Sequence, residues 1–198
     1  RLLLSAATTC PANAAASVRL SSLPASCEMR NVVGGDYDDA VVLSASAFAN
    51  YAFFVPVTAL VWQHHIRFRP LVVLVGSTKL WRTGEFRVVV NFLERWCLPH
   101  AFITTEEKEQ VGIAQLVRLY VGSLPIFTAP KNDFASANPW VVINDADMFP
   151  LNREMYLTGK SDGHILSNNA FCCSQFDWGL AKFRELPMGT VGMRVSQW

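Results

Sequence analysis

Charge is scarce in this 198-residue chain: Asp, Glu, Lys and Arg make up 17% of it, and the formal net charge is +1. That balance leaves no electrostatic footprint for DNA or RNA, and the Lys and Arg residues are scattered rather than gathered into a stripe. No nucleic-acid partner is expected. Cysteine is sparse as well. Cys10, Cys27, Cys97, Cys172 and Cys173 form an odd set in which no pair has the two-residue gap of a zinc knuckle. They read as buried free thiols. Cys172 and Cys173, as neighbours, would point to opposite faces of a strand, which disfavours a bond between them. Asn-x-Ser/Thr is missing too, so nothing argues for a glycosylated, secreted product.

Apolar residues, in contrast, are plentiful at 51%, which excludes a disordered chain and predicts extensive two-sided burial in a single domain. Between Asp39 and His64 there is no charge at all, and Ala40 to Trp62 is long enough to cross a bilayer. Ser44, Ser46, Asn50, Pro56 and Thr58 interrupt it, however, and its character changes from β-like to helical. A buried strand followed by a core-packed helix in a soluble domain explains the stretch better. Residues 1–38 read as a poorly specified arm rich in Ala, Ser, Thr and Pro. Arg1-Leu2-Leu3-Leu4 is too short for a signal peptide. A start at Arg1, without Met, suggests a processed chain or a fragment.

From Asp39 the chain alternates. Ala40–Ser44 reads as a strand and Asn50–His65 as a helix with Pro56 in its first turns or at a kink. Leu71–Gly76 reads as a strand apolar enough to be central and parallel. A helix over Gly84–Cys97, a strand over Ala101–Thr105 and a helix over Glu106–Leu124 follow. A fourth strand from Trp140 ends at two aspartates. Three strand–helix repeats and a fourth strand predict an α/β domain over 39–198, with a mostly parallel sheet flanked by helices.

Ligands in such sheets lie outside the carboxyl ends of the strands. Those ends carry Ser44-Ala45-Ser46, Gly76-Ser77-Thr78, Thr104-Thr105 and Asn144 to Asp147, a polar set suited to a nucleotide lying across them. Asp145 and Asp147 stand two apart, so in a continued strand their carboxylates project together. Two such groups repel unless a cation sits between them, and a hard divalent ion completed by substrate phosphates is the usual solution. A turn or helix-capping pair is the alternative. Asp36-Tyr37-Asp38 repeats the spacing, but it precedes its apolar run and reads as a solvated loop. His64 and His65 end a helix and read as cap or surface residues.

The element order, with Asp145-Ala146-Asp147-Met148-Phe149-Pro150-Leu151 at the fourth strand end, resembles the GT-A-type nucleotide-diphospho-sugar glycosyltransferases. Gln115-Leu116-Val117-Arg118-Leu119-Tyr120, with Leu124-Pro125, is similar to the helix before the motif in glycogenin-like transferases. Asn169 to Cys173 and Pro187 to Met193 resemble segments after it. The likeness covers roughly Asp39 to Trp198.

That resemblance implies a Rossmann-like GT-A fold, cut short at its C-terminal end. It implies transfer of a sugar from a UDP- or GDP-sugar to a hydroxyl of a glycan, protein or lipid acceptor. Mn²⁺ or Mg²⁺ would be the cofactor. Asp147 would bind the metal directly, and Asp145 would contact the ribose or reach the metal through water. Arg118 would reach the donor or the aspartates, while Ser44, Ala45, Ser46 and Asn144 would line the nucleotide site. A Golgi or membrane-associated longer protein is also implied. The family's third metal ligand, a late histidine, has no good match, since His164 sits in a Ser-Asp-Gly-His loop. Glu154, Asp162 and Asp177 are the carboxylates left to serve as a general base. A non-catalytic nucleotide-sugar-binding domain is the alternative. A sugar nucleotidyltransferase ranks below it, because Ser44 to Phe48 holds neither glycine nor a basic residue.

Overall fold

A computed structural model describes residues 18–20, 39–47, 50–124, 127, 138–161, 166–167, 175–178, 181–184 and 189–198. Asp36, Asp38, Asp162 and His164 lie outside the described residues, as do 169–173, 187–188 and all of the arm except 18–20.

Nine strands are described: β1 (Val18–Leu20), β2 (Asp39–Ser46), β3 (Arg69–Val75), β4 (His100–Ile103), β5 (Trp140–Asn144), β6 (Leu166–Ser167), β7 (Gln175–Trp178), β8 (Ala181–Arg184) and β9 (Thr190–Arg194). Seven of them form one sheet in the order β1-β4-β3-β2-β5-β9-β6, and β7 pairs with β8 apart from it. The central four, β4, β3, β2 and β5, run parallel. β1 and β9 flank them antiparallel. Residues 18–20, expected in an unspecified arm, thus add an edge strand.

Five helices are described: α1 (Val55–Val61), extended by a π turn over Trp62–Ile66; α2 (Thr78–Arg82); α3 (Arg87–Arg95); α4 (Gln110–Leu116), extended by a 3-10 turn over Val117–Ser123; and α5 (Arg153–Leu157). Alternate residues of a strand face opposite sides, and here both sides are covered. Val41, Leu43, Val72, Leu74 and Val142 pack with Trp62, Trp81 and Leu93 on one face. Val42, Val73, Val141 and Ile143 pack with Ala114, Val117 and Val121 on the other. Two-sided burial is why β2 and β3 read as almost unbroken apolar runs. The expected α/β sandwich of helices about a mostly parallel sheet is present.

Local chemistry sets the boundaries. Pro56 stands in the first turn of α1, where its missing N–H costs nothing. The expected single helix over 50–65 is a 3-10 turn at Asn50–Phe53, then α1 and its π turn, which ends at Arg67 in the left-handed region (φ 61°). The helix expected over 84–97 is shorter, and α2 precedes it, capped where Ser77 Oγ accepts the Leu80 N–H at 3.1 Å. The helix expected over 106–124 is broken at Tyr120 (φ −113°, ψ 26°). The β4 segment begins one residue before the expected strand and stops at Ile103.

One correction bears on a side chain. Cys97 is buried, as expected, but it is disulfide-bonded rather than a free thiol; the other four cysteines lie outside the described residues. The uncharged stretch from Ala40 contains β2, a 3-10 turn and α1, as expected of a strand followed by a helix, and no helix among the described residues is long and apolar enough to cross a membrane.

β9 reaches its place beside β5 because Gly192 lacks a side chain. A Cβ there would stand 2.8 Å from Cζ2 of Trp140. Trp140 is itself fully buried and anchored by its indole N–H, which donates to the Tyr156 carbonyl at 2.8 Å.

Candidate functional site

Strand order determines where a ligand can sit. The chain steps from β2 to β3 to β4 in one direction, then returns to the far side of β2 to lay down β5. The carboxyl ends of β2 and β5 therefore border a topological switch point, where adjoining connections leave in opposite directions and open a crevice. A cleft of about 350 Å³ lies there, at the lower end of the size range for small-molecule sites.

Six of the seven residues expected to form the site line this cleft. Ser44, Ala45 and Ser46 supply the β2 wall, Arg118 stands opposite, and Asp145 and Asp147 close the β5 side. The serines lie within the last residues of β2 rather than beyond it. Ser44 Oγ donates to the Ala114 carbonyl at 2.5 Å, tying this wall to α4.

The seventh residue, Asn144, has a different job. It is buried, and its amide donates to the carbonyls of Asp145 at 2.9 Å and Met148 at 2.8 Å. Its Oδ1 accepts from Thr190 Oγ1 at 2.7 Å. Those bonds occupy the amide in holding the turn, and Asn144 is not among the cleft residues.

The two aspartates share the cleft for a reason other than strand alternation. β5 ends at Asn144, and Asp145 to Met148 form a turn closed by the Met148 N–H donating to the Asp145 carbonyl at 3.2 Å. The Asp145 N–H donates to Gly189 O at 3.1 Å, which sets the turn's entry. Thr58 Oγ1, fully buried on α1, donates to the Ala146 carbonyl at 2.6 Å.

The carboxylates differ in state. Asp145 Oδ1 is ion-paired with Arg118 Nη1, whose side chain is only 12% exposed against 37% for Asp145. The Arg118 Nε–H, also buried, has no acceptor among the described residues. Asp147 is exposed and makes no ion pair or hydrogen bond among them. No group of three or more His, Cys, Asp or Glu able to hold a metal occurs among the described residues. With one carboxylate paired and one open, the donor set suits a divalent ion that arrives with phosphate oxygens, not a closed protein cage. His65 is not a third ligand; its Nε2 contacts the Leu151 carbonyl at 2.9 Å. Glu154 is exposed in α5 and does not line the cleft.

Sequence reasoning missed Tyr51, Val111, Ala114, Gln115 and Ala146 in the lining. The helical ones had a signal: Val111, Ala114, Gln115 and Arg118 repeat at one-face spacing on α4 and its 3-10 extension. Thr58 and Thr190 had none, because their partners are 88 and 46 residues away.

No protein-family model matches this chain, and no curated protein matches its sequence.

Proposed function

We propose that the cleft binds the nucleotide diphosphate part of a nucleotide-sugar with a divalent metal, and that the protein is a GT-A-type glycosyltransferase moving the sugar to an acceptor hydroxyl. The observation that carries this reading is the meeting of Ser44, Ser46, Arg118, Asp145 and Asp147 in one cleft at the sheet's switch point.

In this reading each residue has a separable task. Asp147, open to solvent, holds Mn²⁺ or Mg²⁺ together with donor phosphate oxygens. The bound ion supplies Lewis-acid neutralisation of the charge on the leaving diphosphate. Arg118 fixes the Asp145 carboxylate, and its second N–H edge offers a donor to a phosphate or ribose oxygen. Ser46 and Ser44 border the ribose and base, Ser44 being half-buried and bonded to Ala114. Preorganisation comes from beneath: Thr58, Asn144 and Thr190 hold the aspartate turn before any ligand arrives.

Incubation with Mn²⁺ and a panel of UDP- and GDP-sugars, reading free nucleotide, tests the proposal. Metal-dependent release or transfer with at least one donor is expected. A second reading, a non-catalytic nucleotide-sugar-binding domain, is favoured by one feature, the Arg118–Asp145 pair that ties up a carboxylate. Metal-dependent nucleotide binding without turnover would select it. Neither binding nor turnover would remove both.

A further inference from the structure

Outside the cleft, the most unusual surface is an apolar ridge built from two segments. The 3-10 turn and start of α1 expose Phe53, Phe54 and Val57, and the chain after the aspartate turn exposes Phe149, Leu151 and Met155. Leu151 is 81% exposed, so its side chain protrudes rather than seating against the fold.

The two segments form one surface. The rings of Phe54 and Phe149 meet edge to face at 6.3 Å between centroids. At the other end of the helix, His65 Nε2 contacts Leu151 O at 2.9 Å, and Arg153 Nε donates to Ile66 O at 2.9 Å. The later segment therefore meets the helix at two places, beside Phe54 and at the π turn. A folded monomer seldom leaves a continuous apolar strip of this kind bare without a use for it.

What borders the strip identifies its partner. Arg67 and Arg153 are exposed beside its Leu151 end, against one exposed acid there among the described residues, Glu154. Asp147 marks the opposite end, at the cleft. Protruding aromatic and aliphatic side chains flanked by cations match the interfacial layer of an anionic bilayer, where rings settle at headgroup depth and cations meet phosphate. A protein partner's helix would need a groove, and Leu151 stands out of the surface instead.

We infer that this ridge docks the protein on an anionic membrane surface, with Phe54, Phe149 and Leu151 entering the interfacial layer and Arg67 and Arg153 contacting lipid phosphates. Docking of this kind places the cleft, which begins at Asp147, beside the bilayer. The inference goes beyond the nucleotide-sugar reading and does not require it.

Co-sedimentation with phosphatidylcholine vesicles, with and without phosphatidylserine, tests it. The protein is expected to sediment with the serine-containing vesicles, and less so at high salt, which screens the charge component. Phe149→Ser with Leu151→Ser should weaken the partition roughly tenfold or more, since two buried apolar side chains are lost. Leu151→Ser alone, at the most exposed position, should weaken it severalfold with an unchanged melting curve. Arg67→Gln should weaken binding to the anionic vesicles alone. The inference fails if the protein stays in solution with both vesicle types, or if the serine variants bind as the parent does. It fails equally if light scattering shows a parent dimer that Leu151→Ser converts to monomer, because a second copy would then cover the ridge. Vesicle binding in a protein that releases no nucleotide would leave this inference standing and remove only the transferase reading.

Discussion

The hydroxyl of Thr58 on α1 donates at 2.6 Å to the carbonyl oxygen of Ala146, the residue between the two aspartates. A fully buried side chain on one helix thus fixes the turn that presents Asp145 and Asp147. Thr58→Val keeps the shape and removes the donor, leaving a buried carbonyl unsatisfied at a cost of about 1–3 kcal/mol. A Tm lower by roughly 2–4 °C per kcal/mol is expected in thermal melts. Metal-dependent nucleotide affinity should fall with it, and Thr58→Ser should restore both. Loss of Tm with unaltered affinity would show that the bond supports the fold without shaping the site.

Arg118 and Asp145 are coupled, but the pair is partly open to solvent, so its contribution to stability is expected to be at most about 1 kcal/mol. Its larger effect should be on ligand. Arg118→Gln removes a charge-assisted donor worth roughly 1.5–3 kcal/mol to a phosphate, a loss of about tenfold or more in nucleotide affinity by calorimetry. An unchanged affinity would make Arg118 a structural partner of Asp145 only.

Gly192→Ala should destabilise the protein, because its Cβ would stand 2.8 Å from a Trp140 ring held in place by its own hydrogen bond. Overpacking of this kind costs about 1–3 kcal/mol. Denaturant titration should show the midpoint shift with an unchanged slope.

His100 is buried at 2% exposure, and desolvation of its charged form lowers its pKa from the ordinary 6.5; the Leu98 carbonyl and Glu94 oppose that shift, and Arg82 adds to it. A folded-state pKa below the unfolded one means the unfolded chain binds the proton more readily. The stability this group contributes is therefore complete above about pH 6.5 and declines as the pH falls from there toward the lowered folded value. Tm measured from pH 7.5 down to pH 5 should fall with decreasing pH, and His100→Gln should flatten that slope. An equally steep slope in the variant would assign the pH dependence to other groups.

The parallel core was legible because period and composition carried it: β2 and β3 are apolar on both faces, and Pro56 marks a helix start by backbone chemistry, whereas the Ser77-capped α2 was not read. The site was legible in its lining but not in its mechanics. Ser44, Arg118, Asp145 and Asp147 stand where motif and strand-end rules put them. The strand rule for the aspartates gave the right neighbours for the wrong reason, since β5 ends at Asn144 and a turn brings the carboxylates together. Asn144 reads as a ligand-facing amide in sequence because nothing local shows that Met148 and Thr190 will occupy it. The edge strand at Val18–Leu20 was equally invisible, because three residues carry no period and its pairing with β4 is long-range. The pairing of Cys97 was hidden for the same reason: which thiols meet is decided by the fold.

Asp147→Asn is the most direct test of the central claim. Asp147 is exposed in its turn and bonded to nothing among the described residues, so the substitution should leave the melting curve unchanged. Binding of UDP or GDP measured with and without Mn²⁺, in the parent, in Asp147→Asn and in Asp38→Asn as a control, gives the answer. The account predicts Mn²⁺-dependent binding in the parent and the control, and its loss in Asp147→Asn. Undiminished Mn²⁺-dependent binding in Asp147→Asn would contradict it.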